Sequence, residues 1–220
     1  MNVIINGAPS FAYLHVDLDP GESIIAESDA MSSMSADLDM TPRMNGNFFS
    51  AMGRKLLGKE SFFINEFVNN TGQTRQVTLT QRTPGDIREV SLSDEAICLQ
   101  PGAYISSTPE LDLSVQWAGF GSWIAREGLF RLKVKGTGKL WYGAYGQLLD
   151  RKVNGEMIVD TSHLVAYDPD IKLKLQFAGG MFSSFFSGEG LITRLEGDGN
   201  ITIQTRSLDG LKNWLNPKLY

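Results

Sequence analysis

Histidine and cysteine are almost missing from this chain, with two histidines and one cysteine in 220 residues. A single cysteine excludes an internal disulfide and suits a reducing compartment. Ala96, Ile97 and Leu99 surround Cys98, an apolar setting that predicts a buried, inert thiol. His15 and His163 lie far apart, so the clustered imidazoles and carboxylate of a metal-dependent dioxygenase or isomerase are lacking. No metal and no cofactor is expected, and His163 reads as a structural hydrogen-bonding residue rather than a base. Long apolar runs are missing too, with no window of roughly 18 residues to span a bilayer. The stretch Met1-Asn2-Val3-Ile4-Ile5-Asn6-Gly7 has neither a basic start nor a signal-like apolar core, so the expected location is the cytoplasm.

Other absences narrow the chemistry. There is no Gly-x-Ser-x-Gly elbow for a nucleophilic serine. Gly136-Thr137-Gly138 and Gly197-Asp198-Gly199 lack the following Lys-Ser or helix start of a phosphate cradle; they read as hairpin turns needing positive φ. A net charge of −5 and scattered lysines argue against a nucleic-acid groove, which wants basic residues interleaved with aromatics. An enzyme is not the expected outcome.

Strand signal fills most of what remains. Leu111, Leu113, Val115 and Trp117 alternate with Asp112, Ser114 and Gln116; Ile171, Leu173, Leu175 and Phe177 alternate with Lys172, Lys174 and Gln176. Period-2 alternation places one set of each on a buried face. Leu38 and Met40 hold the matching places earlier in the chain. Short strands following Glu22, Glu95 and Glu156 line up in the same way. The chain therefore reads as one all-β body over 1–220 with three pseudo-symmetric repeats, approximately 10–85, 86–152 and 153–206. Helix signal is scarce: over 207–216 Ser207 caps a short helix carrying Leu208, Leu211, Trp214 and Leu215 on one side, stopped by Pro217. A further helical turn or two is expected within Phe48–Leu57.

Each repeat also carries a carboxylate in a turn: Glu60, Glu127 and Glu189. Three like charges at one axis would need cations between them, which Arg126, Arg131 and Arg194 could supply. The expected role is pairing with arginine and turn amides rather than acid–base catalysis. The stretch before each carboxylate is unusual for a loop, since connections are generally polar. Phe48 and Phe49 occur in the first, Phe120, Trp123 and Ile124 in the second, and Met181, Phe182, Phe185 and Phe186 in the third.

Pro20-Gly21-Glu22-Ser23 with Ala30-Met31, Pro84-Gly85-Asp86-Ile87, Asp160-Thr161-Ser162-His163-Leu164-Val165-Ala166-Tyr167 and Ser187-Gly188-Glu189-Gly190-Leu191 together resemble the altered-inheritance-of-mitochondria protein twenty-four family and its bacterial relatives. The bacterial members are proteins of unknown function. The resemblance covers nearly the whole chain. It implies a double-stranded β-helix built from three units similar to the tryptophan RNA-binding attenuation protein, and it brings no catalytic residues. One departure is Gly58-Lys59-Glu60-Ser61, standing where the third unit has Gly188-Glu189-Gly190.

Three apolar loops gathered at one end of such a body would form an exposed patch of the kind that marks a partner or membrane contact; folded inward, they would plug its ends. The leading expectation is a non-enzymatic scaffold that forms a homo-oligomer through these loops and also binds a protein partner. The alternatives are a peripheral membrane protein using the same aromatics beside Arg54, Lys55 and Lys59, a small-ligand binder with an interior pocket, and an RNA-binding module.

Overall fold

The computed structural model describes residues 1–43, 63–117, 130–177 and 191–219. The expected helical turns within Phe48–Leu57 lie outside them. Seven strands come first: β1 (Asn2–Asn6), β2 (Tyr13–Leu18), β3 (Ser23–Glu27), β4 (Met31–Met34), β5 (Asp39–Arg43), β6 (Ile64–Val68) and β7 (Arg75–Thr80). Four follow, β8 (Ile87–Leu99), β9 (Tyr104–Ser107), β10 (Asp112–Trp117) and β11 (Phe130–Gly143). The last four are β12 (Leu148–Asp160), β13 (Leu164–Tyr167), β14 (Lys172–Phe177) and β15 (Leu191–Gln204), before helix α1 (Leu208–Leu215). The protein is thus mostly β-sheet with one short C-terminal helix.

Alternation dictates which side chains turn inward. In β2, Leu14, Val16 and Leu18 are buried, while Tyr13, His15 and Asp17 face outward or lie at the rim. Leu111 and Leu113 are buried as their pattern predicts, and so are Leu38 and Ile171. Met40 stays exposed, because β5 is the end strand of its sheet. Each fully buried Leu, Ile, Val or Phe contributes about 1.5–3 kcal/mol through apolar burial.

The pairing around β11 recurs around β15 and, in part, around β6 and β7. β11 pairs with β8 along most of its length, with β10 on its N-terminal half and β9 on its C-terminal half. β15 takes β12, β14 and β13 in the same places. In the first third, β6 lies between β3 and β5 and β7 between β2 and β4. The β4–β7, β9–β11 and β13–β15 ladders each shift register at the corresponding point, between Met31 and Ser33, Trp141 and Tyr142, and Leu164 and Ala166.

Three hydrophobic clusters share residues across these thirds. The first holds Leu14, Val16, Phe67 and Leu79 together with Ile105 and Trp141 of the second third. The second holds Leu99, Leu113, Leu132 and Leu140 with Ile25 and Val165 from either side. The third joins Val153, Leu195 and Ile201 to Cys98. Sheet order runs β12-β15-β13-β8-β11-β9-β3-β6-β5, with β1-β2-β7-β4 as a second sheet. Among the described residues these sheets do not close into a barrel.

The two glycine-rich triplets correct the sequence reading. Gly136-Thr137-Gly138 and Gly197-Asp198-Gly199 are not hairpin turns; they lie inside the 14-residue strands β11 and β15. Gly136 and Gly197 have φ of 131° and 120°, and the β8–β11 ladder shifts register beside Gly136. The glycines serve close approach: a Cβ on Gly138 would come within 2.3 Å of Thr108 Oγ1. Glycine in mid-strand marks a bulge or a tight contact as readily as a turn.

Helix α1 begins as expected, with Ser207 Oγ accepting from the Gly210 amide at 3.0 Å, the usual N-cap bond. Pro217 sits in the 3-10 turn that follows. Leu208, Leu211, Trp214 and Leu215 do share one side, but all four are exposed, Trp214 by 60%.

Candidate functional site

The apolar and acidic residues singled out by sequence all lie outside the described residues. Phe48, Phe49 and Glu60 fall in 44–62; Phe120, Trp123, Ile124 and Glu127 in 118–129; Met181, Phe182, Phe185, Phe186 and Glu189 in 178–190. The described strands fix where these stretches begin and end. Arg43 pairs with Ile64, Trp117 with Phe130 and Phe177 with Leu191. The stretches therefore fall between antiparallel neighbours: β5 and β6, β10 and β11, and β14 and β15.

Of the arginines proposed as partners of the turn carboxylates, Arg126 lies outside the described residues, and Arg194 pairs with Glu156 of β12 at 2.8 Å. Arg131 donates from Nη2 to Gln116 Oε1 at 3.1 Å. His163 lies in a 3-10 turn, Thr161–His163, where its Nδ1–H donates to the Gln204 carbonyl at 2.7 Å. His15 Nε2 lies 3.5 Å from Asp17 Oδ1 on the same strand. Among the described residues, no group of three or more His, Cys, Asp or Glu side chains is placed to hold a metal ion. None of the described helices is long and apolar enough to cross a membrane.

Some buried polar groups lie where strands distant in sequence meet. Cys98 is fully buried, and burial pushes its thiol pKa up against the pull of Arg131 and Lys133; such a thiol is a weak nucleophile. Opposite it on β13, the Tyr167 hydroxyl is buried beside the Arg131 guanidinium. Burial pushes the Tyr167 phenol up to about 12. Tyr104 is equally buried, but its hydroxyl meets Ser107 Oγ at 2.9 Å.

A second network crosses from the middle third to the last. Arg88 of β8 pairs with Asp150 of β12, which also accepts from Thr202 Oγ1 at 3.1 Å. Thr202 in turn meets the Tyr142 hydroxyl at 3.2 Å. Burial pulls the Arg88 guanidinium toward neutrality, yet the hydrogen bond to Asp150 prevails and its pKa rises. These groups are satisfied by one another across a partly exposed rim, Asp150 being 66% exposed, and a network so satisfied fixes packing rather than supplying a reactive group. Sequence reading missed this network, because its members come from four strands with no shared spacing.

The comparisons with known proteins agree with this fold. An uncharacterized protein of Streptococcus pyogenes serotype M6 is 24% identical over 218 residues, spanning 95% of this chain and 87% of that protein. The crystal structure of a Streptococcus pyogenes protein superposes with a TM-score of 0.80 at 24% identity, covering 99% of both chains. Neither relative has an assigned function in its description. The model of the mitochondrial biogenesis AIM24 family matches residues 3–206, and this chain belongs to that family.

Proposed function

We infer that the protein is a non-enzymatic cytoplasmic scaffold that self-associates into a homo-oligomer, offering its apolar segments to a second copy and to a protein partner. Its three thirds are copies of one unit, each similar to the tryptophan RNA-binding attenuation protein, wound into a short double-stranded β-helix. The observation that supports this reading is the shared pairing plan, including the register shift at the corresponding point of β4, β9 and β13. It gives three Phe-, Trp- and Met-bearing stretches the same two flanking strands. Apolar side chains repeated at corresponding points favour a multivalent contact over a single pocket.

Changing Phe120, Trp123, Phe185 and Phe186 to Ser tests the reading. Native mass spectrometry is expected to show a multimer for the parent chain and a monomer for the variant, with the β-sheet circular dichroism intact. A variant that keeps its multimeric mass refutes the assignment.

A second reading, peripheral association with a membrane surface, is favoured by the exposed apolar side of α1, where Leu211 and Trp214 stand beside Lys212 and Lys218. An interfacial helix has this make-up. Sedimentation with anionic vesicles separates the two readings, since a scaffold stays in the supernatant.

A further inference from the structure

The strand pairs β5–β6, β10–β11 and β14–β15 differ in how their charges are balanced. Val68 pairs with Ser23 as Lys135 does with Ala96 and Glu196 with Glu156. Two residues back on the same face, Glu66 stands between Thr41 and Ile25, Lys133 between Ser114 and Cys98, and Arg194 between Lys174 and Ile158. All three places carry a charge. In the first pair, Arg43 lies 3.9 Å from Glu66, which also accepts from Ser23 Oγ at 3.0 Å. In the last, Arg194 meets Glu156 at 2.8 Å and Lys174 meets Glu196 at 2.7 Å.

β10–β11 lacks these counter-charges. Ala96 stands where β12 has Glu156, and Lys135 where β15 has Glu196. The same face adds Arg131, which pairs with Gln116 as Ile64 does with Arg43 and Ile192 with Gln176. The ion pairs among the described residues include none to Arg131, Lys133 or Lys135. Asp112 lies opposite Lys135 without pairing with it.

Two of these cations turn toward one another's surroundings. Arg131 and Lys133 are half-buried, and both pull on the Cys98 thiol against its burial. The Arg131 guanidinium donates to Gln116 Oε1 at 3.1 Å and borders the buried Tyr167 hydroxyl. Asp168 also acts on Cys98, but its Oδ2 already accepts from the Asn200 amide at 2.7 Å and the Asn200 side chain at 3.2 Å. Like charges partly withdrawn from water repel, and an anion between them relieves the repulsion.

We propose that this face of β10–β11 binds a phosphate-class oxyanion between Arg131 and Lys133. A dianion offsets both charges at once, its oxygens meeting the planar fork of the guanidinium and the point charge of the ammonium. Free phosphate and a lipid phosphate headgroup share this chemistry, and the test separates them. The site lies on a strand face and does not rest on the scaffold reading.

Equilibrium dialysis against labelled inorganic phosphate at pH 8 tests it. The native chain is expected to show saturable uptake of a single ion at millimolar phosphate. Lys133→Met should weaken uptake about 10–100-fold, the worth of a hydrogen bond to a charged group. Arg131→Lys keeps the charge but loses the fork, and is expected to fall between the two. Lys174→Met makes the same change in net charge at a place already balanced by Glu196, so its uptake should match the native chain. Ala96→Glu supplies the counter-charge that β12 carries in Glu156; it should abolish uptake while raising the thermal midpoint, which separates loss of the site from loss of the fold. Sedimentation with phosphatidic acid vesicles is the second arm: binding that Lys133→Met loses, with no uptake of free phosphate, assigns the headgroup as the source. Phosphate uptake that survives in both Lys133→Met and Ala96→Glu overturns the proposal. So does a native chain that takes up no phosphate and whose vesicle binding is absent or unchanged by Lys133→Met.

Discussion

Gly138→Ala is the sharpest test of the glycine-bearing long strands. A methyl group there would lie 2.3 Å from Thr108 Oγ1 and 3.2 Å from Leu111 Cγ. The first distance is impossible without movement, and Thr108 is not free to turn away, because its Oγ1 accepts from the Lys139 amide at 3.2 Å. Overpacking costs about 1–3 kcal/mol and the lost hydrogen bond about 1 kcal/mol, while the stiffer unfolded chain returns about 0.4–1 kcal/mol. The net expectation is a loss of about 1–3 kcal/mol, read as a lower urea midpoint at unchanged slope. Thr108→Ala in the same chain removes the obstacle, so the double variant is expected to be more stable than the sum of the singles. A neutral Gly138→Ala, or a double-mutant cycle with no coupling, would refute the close-approach account. Gly155, where nothing lies within 4 Å but φ is 80°, is the contrast: Ala there meets backbone strain alone, and no neighbouring substitution is expected to rescue it.

Two further outcomes follow from the buried groups between thirds. Cys98 is expected to resist a thiol reagent at pH 8 in the native protein and to react fully once urea unfolds it; prompt stoichiometric labelling of the native chain would contradict its burial. The Tyr167 phenol has its folded pKa raised above the unfolded value of 10.0 to about 12, so the stability this provides is complete below pH 10 and is lost as pH climbs toward 12. Stability is expected to fall with a slope contribution of about 1.4 kcal/mol per pH unit in that window. Tyr167→Phe should remove this contribution; an unchanged alkaline slope would count against it.

Local pattern carried some of this fold into view and non-local contact hid the rest. The alternation through Leu111, Leu113 and Val115 becomes β10, and Ser207 with Pro217 bounds α1. Those signals are complete within a few residues of chain. The Gly138 reading misled because the residue that demands glycine, Thr108, lies just past the end of β9, distant in sequence. Lining up Glu95 with Glu156 was off by one place: the pairing puts Gly155 opposite Gly197 as Glu95 is opposite Gly136. A one-residue slip exchanges the faces of a strand, and only the correct register shows Ile158 in the position of Cys98. The bare edge of β4 is illegible for a similar reason. Met-Ser-Ser-Met reads as a strand as readily as Tyr-Ile-Ser-Ser, and what separates them is whether a neighbouring third lies alongside.

The first third departs from the other two in a way that shows what the mid-strand glycines accomplish. Val68 pairs with Ser23 as Lys135 does with Ala96 and Glu196 with Glu156, so Asn69 stands where Gly136 and Gly197 stand. Here the long strand is broken into β6 and β7, and its partner into β2 and β3. Breaking a ladder orphans backbone groups, and fully buried Asn69 takes them up. Its Nδ2 donates to the Leu18 and Gln73 carbonyls, both at 2.8 Å, and its Oδ1 accepts from the Thr71 amide at 3.0 Å and the Thr71 hydroxyl at 2.8 Å. Its own amide and carbonyl join Glu22 and Gly21 across the gap, at 2.9 and 2.8 Å. A glycine lets two thirds bend without breaking; the first third breaks, and a side-chain amide bridges the break. Asn69→Ala leaves up to four polar groups to find water or go unpaired, an expected loss of about 2–4 kcal/mol in urea unfolding. Asn69→Gly keeps the backbone bonds and meets no strain, yet loses the same amide. It is therefore expected to be as damaging as alanine, and a glycine variant of native stability would show that the bend, rather than the bridge, is what this position supplies.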